Sequence, residues 1–326
     1  MKLAVVILNW NGKELLEQFI PSVITFSQEA DIYVADNAST DDSIAFLKHQ
    51  FPQVQIIQNT VNGGYAKGYN DALKHIEADV FCLLNSDIQV TQNWLTPIIE
   101  EFQSDINTAI IQPKILDFKK KTHFEYAGAA GGFIDKYGYP FCRGRIFDTI
   151  EEDHGQYDDT QTIFWASGAC FFIRKSTFDT LNGFDESYFA HFEEIDLCWR
   201  AFNSGFTAKY IGTSRVYHVG GATLSALNPK KTYLNFRNSL FTLIKNAQGF
   251  LFGIIVIRLI LDGIAGIKFL LSLKFSHFLA ILKAHFSFYA NLNRLLKQRK
   301  QLPKKKNYCK TTSIVWSYFI RKRHIF

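Results

Sequence analysis

The chain has 326 residues, of which 47% are hydrophobic and 20% are charged, and its formal net charge is +6. That length supplies ample buried core and excludes a disulfide-stapled mini-protein, while the composition excludes an intrinsically disordered chain. The five cysteines are odd in number and widely scattered, and no pair has the spacing of a metal or redox motif. This cysteine usage favours a reducing, intracellular compartment.

The modest net charge conceals an asymmetry about Asn228. Of the 36 Lys and Arg residues, 19 follow Asn228, whereas only one of the 30 acids, Asp262, does. Residues 1–228 therefore carry −12 and residues 229–326 carry +18. We expect two parts that face different partners, an acidic domain over 1–228 and a basic helical region over 229–326.

Short apolar runs alternate with helical patterns in the first half of the chain. The predicted strands are 3–8, 32–35, 54–57 and 80–84. The predicted helices are 13–26, 43–49 and 66–76. Strict alternation indicates βαβ units and a mostly parallel sheet with helices on both faces. Because the run 3–8 is too short for the apolar region of a signal peptide, we expect a buried strand there.

Residues 117–160 break this rhythm. Glycines and aromatic residues are interspersed there, which predicts an irregular or hairpin-rich insert. Apolar order returns over 162–173, and the pattern over 193–203 predicts a helix.

The tail contains two long apolar stretches, 250–273 and 275–289, followed by the basic stretch 294–306. The first is long enough to span a bilayer as a helix. It contains three charged residues, Arg258, Asp262 and Lys268. Each charge costs ~2.5–3.5 kcal/mol at the centre of a spanning helix. Because all three fall within one sector of the helix, we expect a helix that lies in the membrane interface rather than one that crosses it.

Two other interpretations of the tail stay open. A soluble helical subdomain would pack the same apolar stripes together, and a nucleic-acid partner would account for the charge. Long aliphatic runs argue against nucleic acid, since a nucleic-acid surface needs exposed charge. Aromatic residues and lysines that recur with almost no acids favour association with an anionic membrane.

Polar residues follow each of the four predicted strands. These segments are Asn9-Trp10-Asn11-Gly12, Asp36-Asn37-Ala38-Ser39, Asn62-Gly63-Gly64-Tyr65 and Asn85-Ser86-Asp87. Any one of them is what an ordinary turn or helix cap uses. Four in succession at the carboxyl ends of parallel strands predict a ligand site along one edge of the sheet.

With two later segments, this constellation resembles the family 2 inverting glycosyltransferases of GT-A fold, in particular bacterial rhamnosyl- and galactofuranosyl-transferases. The later segments are Gly183-Phe184-Asp185-Glu186 and Phe192-Glu193-Glu194-Ile195-Asp196-Leu197. The resemblance covers roughly residues 1–225. It implies a nucleotide-diphospho-sugar transferase domain with a Rossmann-like mixed sheet, followed by the C-terminal helical, membrane-associating region.

The resemblance also assigns roles around the donor. It implies that a UDP- or dTDP-sugar is bound by Asn9, Asn11, Asp36, Asn62 and Gly64, with Asp36 on the base.

A divalent cation, Mg²⁺ or Mn²⁺, would neutralise the departing diphosphate. The resemblance implies that Asp87 and His218 hold it, and that Asn85 stands where the family has its first metal-binding Asp. Without the resemblance, His218 has an ordinary structural interpretation.

Inversion by single displacement needs one base to take the proton of the acceptor hydroxyl. The family pattern points to Glu194. The resemblance implies that Glu193, Asp196 and Asp185 orient the base or contact the acceptor. Trp165 is a candidate stacking platform for a sugar, with core packing as an equal alternative.

The sequence thus predicts an inverting glycosyltransferase that makes cell-surface glycan. We expect a lipid-linked or polysaccharide acceptor, a peripheral or monotopic location on the cytoplasmic side of the bacterial inner membrane, and no nucleic-acid partner. A homo-oligomer stays open. The alternative is a catalytically inactive, membrane-bound sugar-nucleotide-binding or scaffold protein. A nucleotidyltransferase is disfavoured because the early chain lacks a basic phosphate-binding loop.

Overall fold

The computed structural model describes residues 1–220 and 228–326. The strands are β1 (Leu3–Asn9), β2 (Ala30–Asp36), β3 (Gln55–Gln58), β4 (Val80–Asn85), β5 (Ile88–Val90), β6 (Thr108–Asp117), β7 (Gly132–Ile134), β8 (Pro140–Cys142), β9 (Arg145–Ile146), β10 (Thr149–Ile150), β11 (Thr160–Ile163), β12 (Cys170–Arg174) and β13 (Thr207–His218). The α-helices are α1 (Lys13–Phe26), α2 (Ser43–Gln50), α3 (Gly64–Leu73), α4 (Thr96–Ser104), α5 (Lys175–Thr180), α6 (Glu193–Asn203), α7 (Pro229–Asn246), α8 (Leu251–Leu271) and α9 (Phe275–Gln301). Two short helices complete the set, a 3₁₀ turn at Glu186–Tyr188 and a π-helix at Trp316–Ile320.

The main sheet is mixed, with the strand order β11-β13-β6-β12-β4-β1-β2-β3, and β5 pairs with β13. Strands β4, β1, β2 and β3 are parallel to one another, whereas β12 runs antiparallel between β4 and β6. The predicted parallel half is confirmed. In the other half, β13 is parallel to β6, while β11 and β12 are antiparallel to their neighbours. These strands come from distant parts of the chain, and local patterns do not reveal such pairings.

Both faces of this sheet are covered. Alternate residues of a strand point to opposite faces, and the side chains of β1 divide accordingly. Ala4 and Val6 lie in one core with α3, whereas Val5 and Ile7 lie in a second core with α1 and α4. Because β1, β2 and β4 are parallel and in register, their polar ends, Asn9, Asp36 and Asn85, lie together at one edge of the sheet.

The insert over 117–160 folds as a small separate sheet with the order β10-β9-β8-β7. The prediction of a hairpin-rich insert is thus confirmed. The predicted helices 13–26 and 193–203 match α1 and α6, whereas the stretch 162–173 is interrupted between β11 and β12.

The region after Asn228 is helical, as predicted, but two of the three charges of α8 do not lie where an interfacial helix would expose them. Arg258 and Asp262 are buried, on the side of α8 that faces the rest of the protein. Over residues 1–220 and 228–326, no helix combines the length and apolar character needed to cross a membrane. The first core also continues into this region through residues such as Phe241 of α7 and Leu295 of α9.

Candidate active site

A buried, hydrogen-bonded turn joins the ends of β1 and β2. Asn9 and Asp36 are register partners in this parallel pair. Asn9 Nδ2 donates to Asp36 Oδ1 at 3.0 Å, and Ser39 N donates to Asp36 Oδ2 at 2.9 Å. Asp36 is 1% exposed. Asp36 therefore fixes the turn in this conformation, and its contact with a nucleobase stays a prediction.

The other predicted nucleotide-binding residues brace neighbouring loops of the same edge. Asn11 Oδ1 accepts a hydrogen bond from Thr40 N at 2.7 Å. Asn62 Oδ1 accepts from Gly64 N and from Asn37 Nδ2, each at 3.0 Å. The structure thus gathers the predicted donor-side residues along one edge of the sheet, with their side chains ordered by one another.

Gly64 connects this edge to the segment that precedes α6. Its φ is +77°, and a Cβ there would lie 2.3 Å from Phe189 O. The next residue, Tyr65, donates its N–H to the same Phe189 carbonyl at 2.8 Å. A side chain at position 64 would therefore push the turn at Asn62–Gly64 away from the loop 189–192, which precedes Glu193.

That loop has an unusual backbone. Three of its non-glycine residues have left-handed φ angles, namely Phe189 (+64°), His191 (+68°) and Phe192 (+72°). Such a conformation costs an L-residue roughly 1–2 kcal/mol, so the surroundings must hold it. Asn238 of α7 does so, because its Nδ2 lies 2.7–3.1 Å from the carbonyl oxygens of Tyr188, Ala190 and His191.

Glu193 and Glu194 follow directly, at the start of α6. In the described part of the chain, the Oε2 atoms of both are buried without a hydrogen-bond partner. Burial, followed by the charge of Glu194, raises the pKa of Glu193 well above its usual value. Burial also raises the pKa of Glu194, to about 7, against the opposing effect of backbone N–H groups at the helix start. At neutral pH, Glu194 is therefore the member of the pair that ionises more readily.

Gly168 lies next to both Tyr65 and Glu194. Tyr65 Oη donates to Gly168 O at 2.8 Å. A Cβ on Gly168 would lie 3.3 Å from Tyr65 Oη and 3.7 Å from Glu194 Cδ. The absence of a side chain at position 168 thus leaves room between a hydroxyl group and the candidate base.

The predicted metal residues meet at the end of β13. His218 Nε2 lies 3.1 Å from Asp87 Oδ1, and His218 Nδ1 lies 3.3 Å from Glu125 Oε2. All three side chains are buried. Although burial disfavours the charged ring, the two carboxylates raise the pKa of His218 to about 10.

The donor chemistry here fits a divalent cation that is held partly by its substrate. Asp87 offers a carboxylate oxygen, and His218 would offer an imidazole nitrogen once a cation displaced a ring proton. Asn85 ends β4 two residues before Asp87. Across residues 1–220 and 228–326, no three His, Cys, Asp or Glu side chains are grouped so as to hold a metal ion. The reason at this site is geometric, since Asp87 and Glu125 contact opposite nitrogens of one ring. A cation here would take its remaining ligands from phosphate and water.

The base and the metal residues belong to one neighbourhood. Burial raises the pKa of the Cys142 thiol to about 11, and the charges of Glu125 and Glu194 both contribute to this rise. Because both carboxylates act on the same thiol, Glu125 and Glu194 both lie near Cys142.

Asp185 and Asp196 are paired with basic side chains. Lys245 Nζ lies 2.7 Å from Asp185 Oδ2 and 2.9 Å from Asp196 Oδ1, and Arg200 pairs with Asp196 at 2.8 Å. Although burial opposes ionisation, Lys245 lowers the pKa of both carboxyls. Asp196 is fully buried in this network. The two acids fasten α6 and the 3₁₀ turn to α7, and an acceptor contact is not supported for either.

Trp165 packs in the core. Its side chain is buried, and its Nε1 donates to Phe133 O at 2.8 Å. A Cβ on Gly132 would lie 2.1 Å from the indole ring, so this glycine makes room for it. The structure therefore favours the core alternative over the sugar platform.

Two residues of the site were missed by sequence reasoning. Glu125 lies inside the glycine-rich insert, where a lone acid has no recognisable pattern. Tyr65 follows the Gly63-Gly64 turn, and its position directly after that turn is the one signal that marks it.

Comparison with known proteins places these features in a family. The sequence model of Glycosyl transferase family 2 matches residues 4–181, and the chain belongs to this family. It is 23% identical over 235 residues to N-acetylglucosaminyl-diphospho-decaprenol L-rhamnosyltransferase of Mycobacterium tuberculosis, covering 66% of this chain and 75% of that protein. It is 24% identical over 224 residues to rhamnosyltransferase WbbL of Escherichia coli, covering 66% and 82%. The chain is a glycosyltransferase, as the sequence predicted.

Solved structures confirm the GT-A-like fold. GalNAc-T7 with UDP, GalNAc and Mn²⁺ superposes with a TM-score of 0.59 at 16% identity, covering 76% of this chain and 48% of that one. The mannosyltransferase PcManGT from Pyrobaculum calidifontis, with GDP-Man and Mn²⁺, gives 0.54 at 12% identity, covering 90% and 75%.

Proposed function

We propose that the protein is an inverting, metal-assisted glycosyltransferase that moves a sugar from UDP or dTDP to a hydroxyl group of its acceptor. The observation that carries the proposal is the Glu193–Glu194 pair at the start of α6. Its Oε2 atoms are buried, the pKa of Glu194 is about 7, and the pair follows the loop that Gly64 and Tyr65 contact through Phe189. A carboxylate kept near neutral pKa in such a place is suited to accept a proton.

In this mechanism the acceptor hydroxyl attacks the anomeric carbon while Glu194 takes its proton. The bond from that carbon to the diphosphate oxygen breaks, and the configuration inverts in a single displacement. Glu193, whose raised pKa keeps it protonated to higher pH, limits the negative charge beside the base. Gly168, whose carbonyl accepts from Tyr65 Oη, leaves space beside the Glu194 carboxyl because it has no side chain.

The donor would lie along the edge formed by Asn9, Asn11, Asp36, Asn62 and Gly64. Asp87 and His218, with Asn85 nearby, would hold Mg²⁺ or Mn²⁺, which supplies positive charge to the leaving diphosphate. Mn²⁺ with UDP or GDP-Man in the two structural neighbours supports this assignment.

The acceptor is proposed to be lipid-linked or a growing polysaccharide. The name of the Mycobacterium tuberculosis relative specifies a decaprenol-linked acceptor, and the +18 tail suits work at a membrane. We place the reaction on the cytoplasmic side of a bacterial inner membrane, with the protein peripheral or monotopic.

The test is release of UDP or dTDP from a panel of their sugar nucleotides, with Mg²⁺ or Mn²⁺, by the wild type and two variants. Glu194→Gln is expected to lower kcat by roughly 10²–10⁴ without abolishing donor binding, because only proton transfer is removed. Asp87→Ala is expected to weaken the response to added metal. NMR of the product anomer reports inversion.

Glu17→Gln is the matched control, since Glu17 is exposed on α1. If the wild type binds donor but releases no nucleotide with any acceptor or metal, the inactive scaffold is correct. If all variants turn over as the wild type does, Glu194 and Asp87 have been assigned the wrong roles.

A further inference from the structure

The helix α8 is amphipathic in the reverse of the usual sense. Its inward face is Ile254, Arg258, Asp262 and Gly266, all buried. Its outward face, spaced by three or four residues, is Phe252, Val256, Ile260, Ile264, Ile267 and Leu271, all exposed. A helix on the surface of a water-soluble domain normally buries its apolar stripe and exposes its charges. Here the exposed face is the one that avoids water.

Two of the three charges of α8, Arg258 and Asp262, are paired inside the protein, whereas Lys268 in its last turn is exposed. Arg258 Nε donates to Asp262 Oδ1 at 2.8 Å, and Arg258 Nη2 donates to Ser239 Oγ at 2.6 Å. Tyr139 Oη donates to the same Asp262 oxygen at 2.9 Å. These contacts join α8 to α7 and to the insert, so the outward direction of the apolar face is fixed by buried polar bonds.

The helix α9 shows a change of character along its exposed stripe. The stripe begins with apolar residues, Phe275, Leu279, Leu282, Phe286 and Tyr289. It continues with polar and basic residues, Asn293, Lys297 and Lys300. A stripe that passes from aliphatic and aromatic residues through tyrosine to lysine follows the polarity of a bilayer from acyl chains to headgroups.

At the basic end of this stripe the surface forms a groove of about 590 Å³, lined by Asn293, Leu296, Lys297, Arg299, Lys300 and Lys304. Arg299 Nη1 donates to Ile244 O at 3.0 Å, which holds the guanidinium against α7. Positive charges are thus set beside the apolar stripe in one helix, as a phosphate-bearing surface requires.

We propose that the α8–α9 hairpin is a docking surface for an anionic phospholipid bilayer. Its outward apolar stripes enter the interface, and the basic groove at the end of α9 meets lipid phosphate. The inference deepens the proposed function, because it names the surface by which the enzyme reaches its membrane. The apolar end of the hairpin lies deeper in the interface, and the basic end of α9 stays at the headgroups.

A second copy of the chain is the other occupant that an apolar face invites. Charge argues against it. The exposed charged residues of the hairpin include Lys268, Lys274 and Lys283, and its one acid, Asp262, is buried. A twofold pairing of this face with itself would bring like charges together, whereas an anionic bilayer neutralises them.

Docking in this way would also orient the 3₁₀ turn at Glu186–Tyr188 and the loop 189–192 that follows it. Arg294 Nη1 lies 3.4 Å from Ser187 Oγ, and Gln298 Nε2 donates to Asp185 Oδ2 at 3.2 Å. The same helix that carries the membrane stripe therefore contacts the 3₁₀ turn that leads to Glu193. An acceptor held in the bilayer would be presented from that side.

The test is flotation of the full chain with phosphatidylcholine vesicles, with and without phosphatidylglycerol. We expect the wild type to float with the anionic vesicles. Ile260→Glu combined with Ile264→Glu is expected to reduce bound protein roughly tenfold or more, because two charges enter the apolar stripe. Lys297→Glu combined with Lys300→Glu is expected to reduce bound protein by a comparable factor at low salt. At high salt, which screens the attraction to lipid phosphate, this variant and the wild type should bind to a similar extent.

Ile106→Glu is the matched control, because Ile106 is 79% exposed on the catalytic domain, outside the hairpin, and should bind as the wild type does. If the isoleucine variant does not fold by circular dichroism, the surface lysine variant still decides the question. Two results overturn the proposal: binding that neither variant reduces, and a wild type that ignores vesicles but is a dimer by light scattering. Vesicle binding needs no donor, so failure here leaves the glycosyltransferase assignment intact.

Discussion

Two carboxyl groups share the buried space at the start of α6, and burial disfavours the charge on both. Glu193 and Glu194 differ in what opposes this effect. Backbone N–H groups of the helix start favour the charged form of Glu194, whose pKa is about 7, whereas Glu193 also feels the charge of its neighbour. When environments separate two such groups, one serves as base while the other stays neutral.

This separation predicts opposite effects of pH on activity and on stability. Because the base must be ionised, kcat/KM of the wild type should rise with pH through about 7 and then level off. The free energy of unfolding should change the other way. A carboxyl whose pKa is raised by folding gives stability that is full below its usual pKa of about 4.5 and is lost as pH rises through about 7.

Glu194→Gln stays neutral at every pH and separates the two effects. At about pH 8 the variant should melt at a higher temperature than the wild type while turning over far more slowly. Thermal melts and nucleotide-release rates across the pH range measure both. Equal melting temperatures above neutral pH would show that Glu194 is not held in a desolvated place.

At the same residue scale, the sequence identified the acids but not their partners. Asp185, Asp196 and Glu194 occur in one short stretch, and because acids at a helix start also favour the helix dipole, the pattern alone does not separate their roles. Lys245, which forms ion pairs with Asp185 and Asp196, comes from a helix far along the chain. Local patterns carry no information on such a long-range pair. For the same reason a buried Trp165 and a sugar-stacking Trp165 look alike in sequence.

Among the elements, α7 has a role that its composition does not suggest. Its Asn238 amide reaches three carbonyls of the loop whose left-handed residues precede Glu193. Asn238→Ala should let this loop relax and move the base. We expect kcat to fall by roughly 10–100-fold, since a displacement near 1 Å costs that much, with a smaller change in the KM for the donor.

Asn246→Ala is the matched control for this prediction. Asn246 is also a buried asparagine of α7, but its amide donates to Asp196 Oδ1 and Thr242 O, away from the loop. Steady-state kinetics and melting temperatures of both variants decide the matter. Equal losses of kcat at equal losses of stability would mean that Asn238 is structural only.

The elements themselves were predicted unevenly. Alternating runs identified β1, β2, β4 and α1 closely, because each is a local segment with its own period. The partners of β12 and β13 depend on contacts across the sheet. The apolar pattern of α8 indicated an amphipathic helix, but the direction of its charged face depends on Tyr139 and Ser239, which lie elsewhere in the chain.

For the whole molecule, the change of charge at Asn228 does not coincide with a gap in the packing. One core includes residues of α6 and of the insert together with Leu240, Phe241 and Ile244 of α7. Lys245 adds an ionic tie, since it pairs with Asp185 and Asp196. The change of charge at Asn228 is thus a property of the surface, whereas residues on both sides of Asn228 share one core.

This continuity predicts that residues 1–228 do not fold cooperatively by themselves. Removing the rest leaves Asp185 and Asp196 without Lys245, and breaking one such buried pair costs about 3–5 kcal/mol. That loss alone approaches the net stability of many domains, about 5–15 kcal/mol, before the exposed core of α6 is considered. Urea unfolding followed by tryptophan fluorescence should show a broad transition for the shortened chain.

A chain that lacks only residues 321–326 keeps α7, α8 and α9 and should unfold like the full chain. A sharp transition of residues 1–228 at the midpoint of the full chain would show instead that the helical region is an independent addition to a self-sufficient catalytic domain.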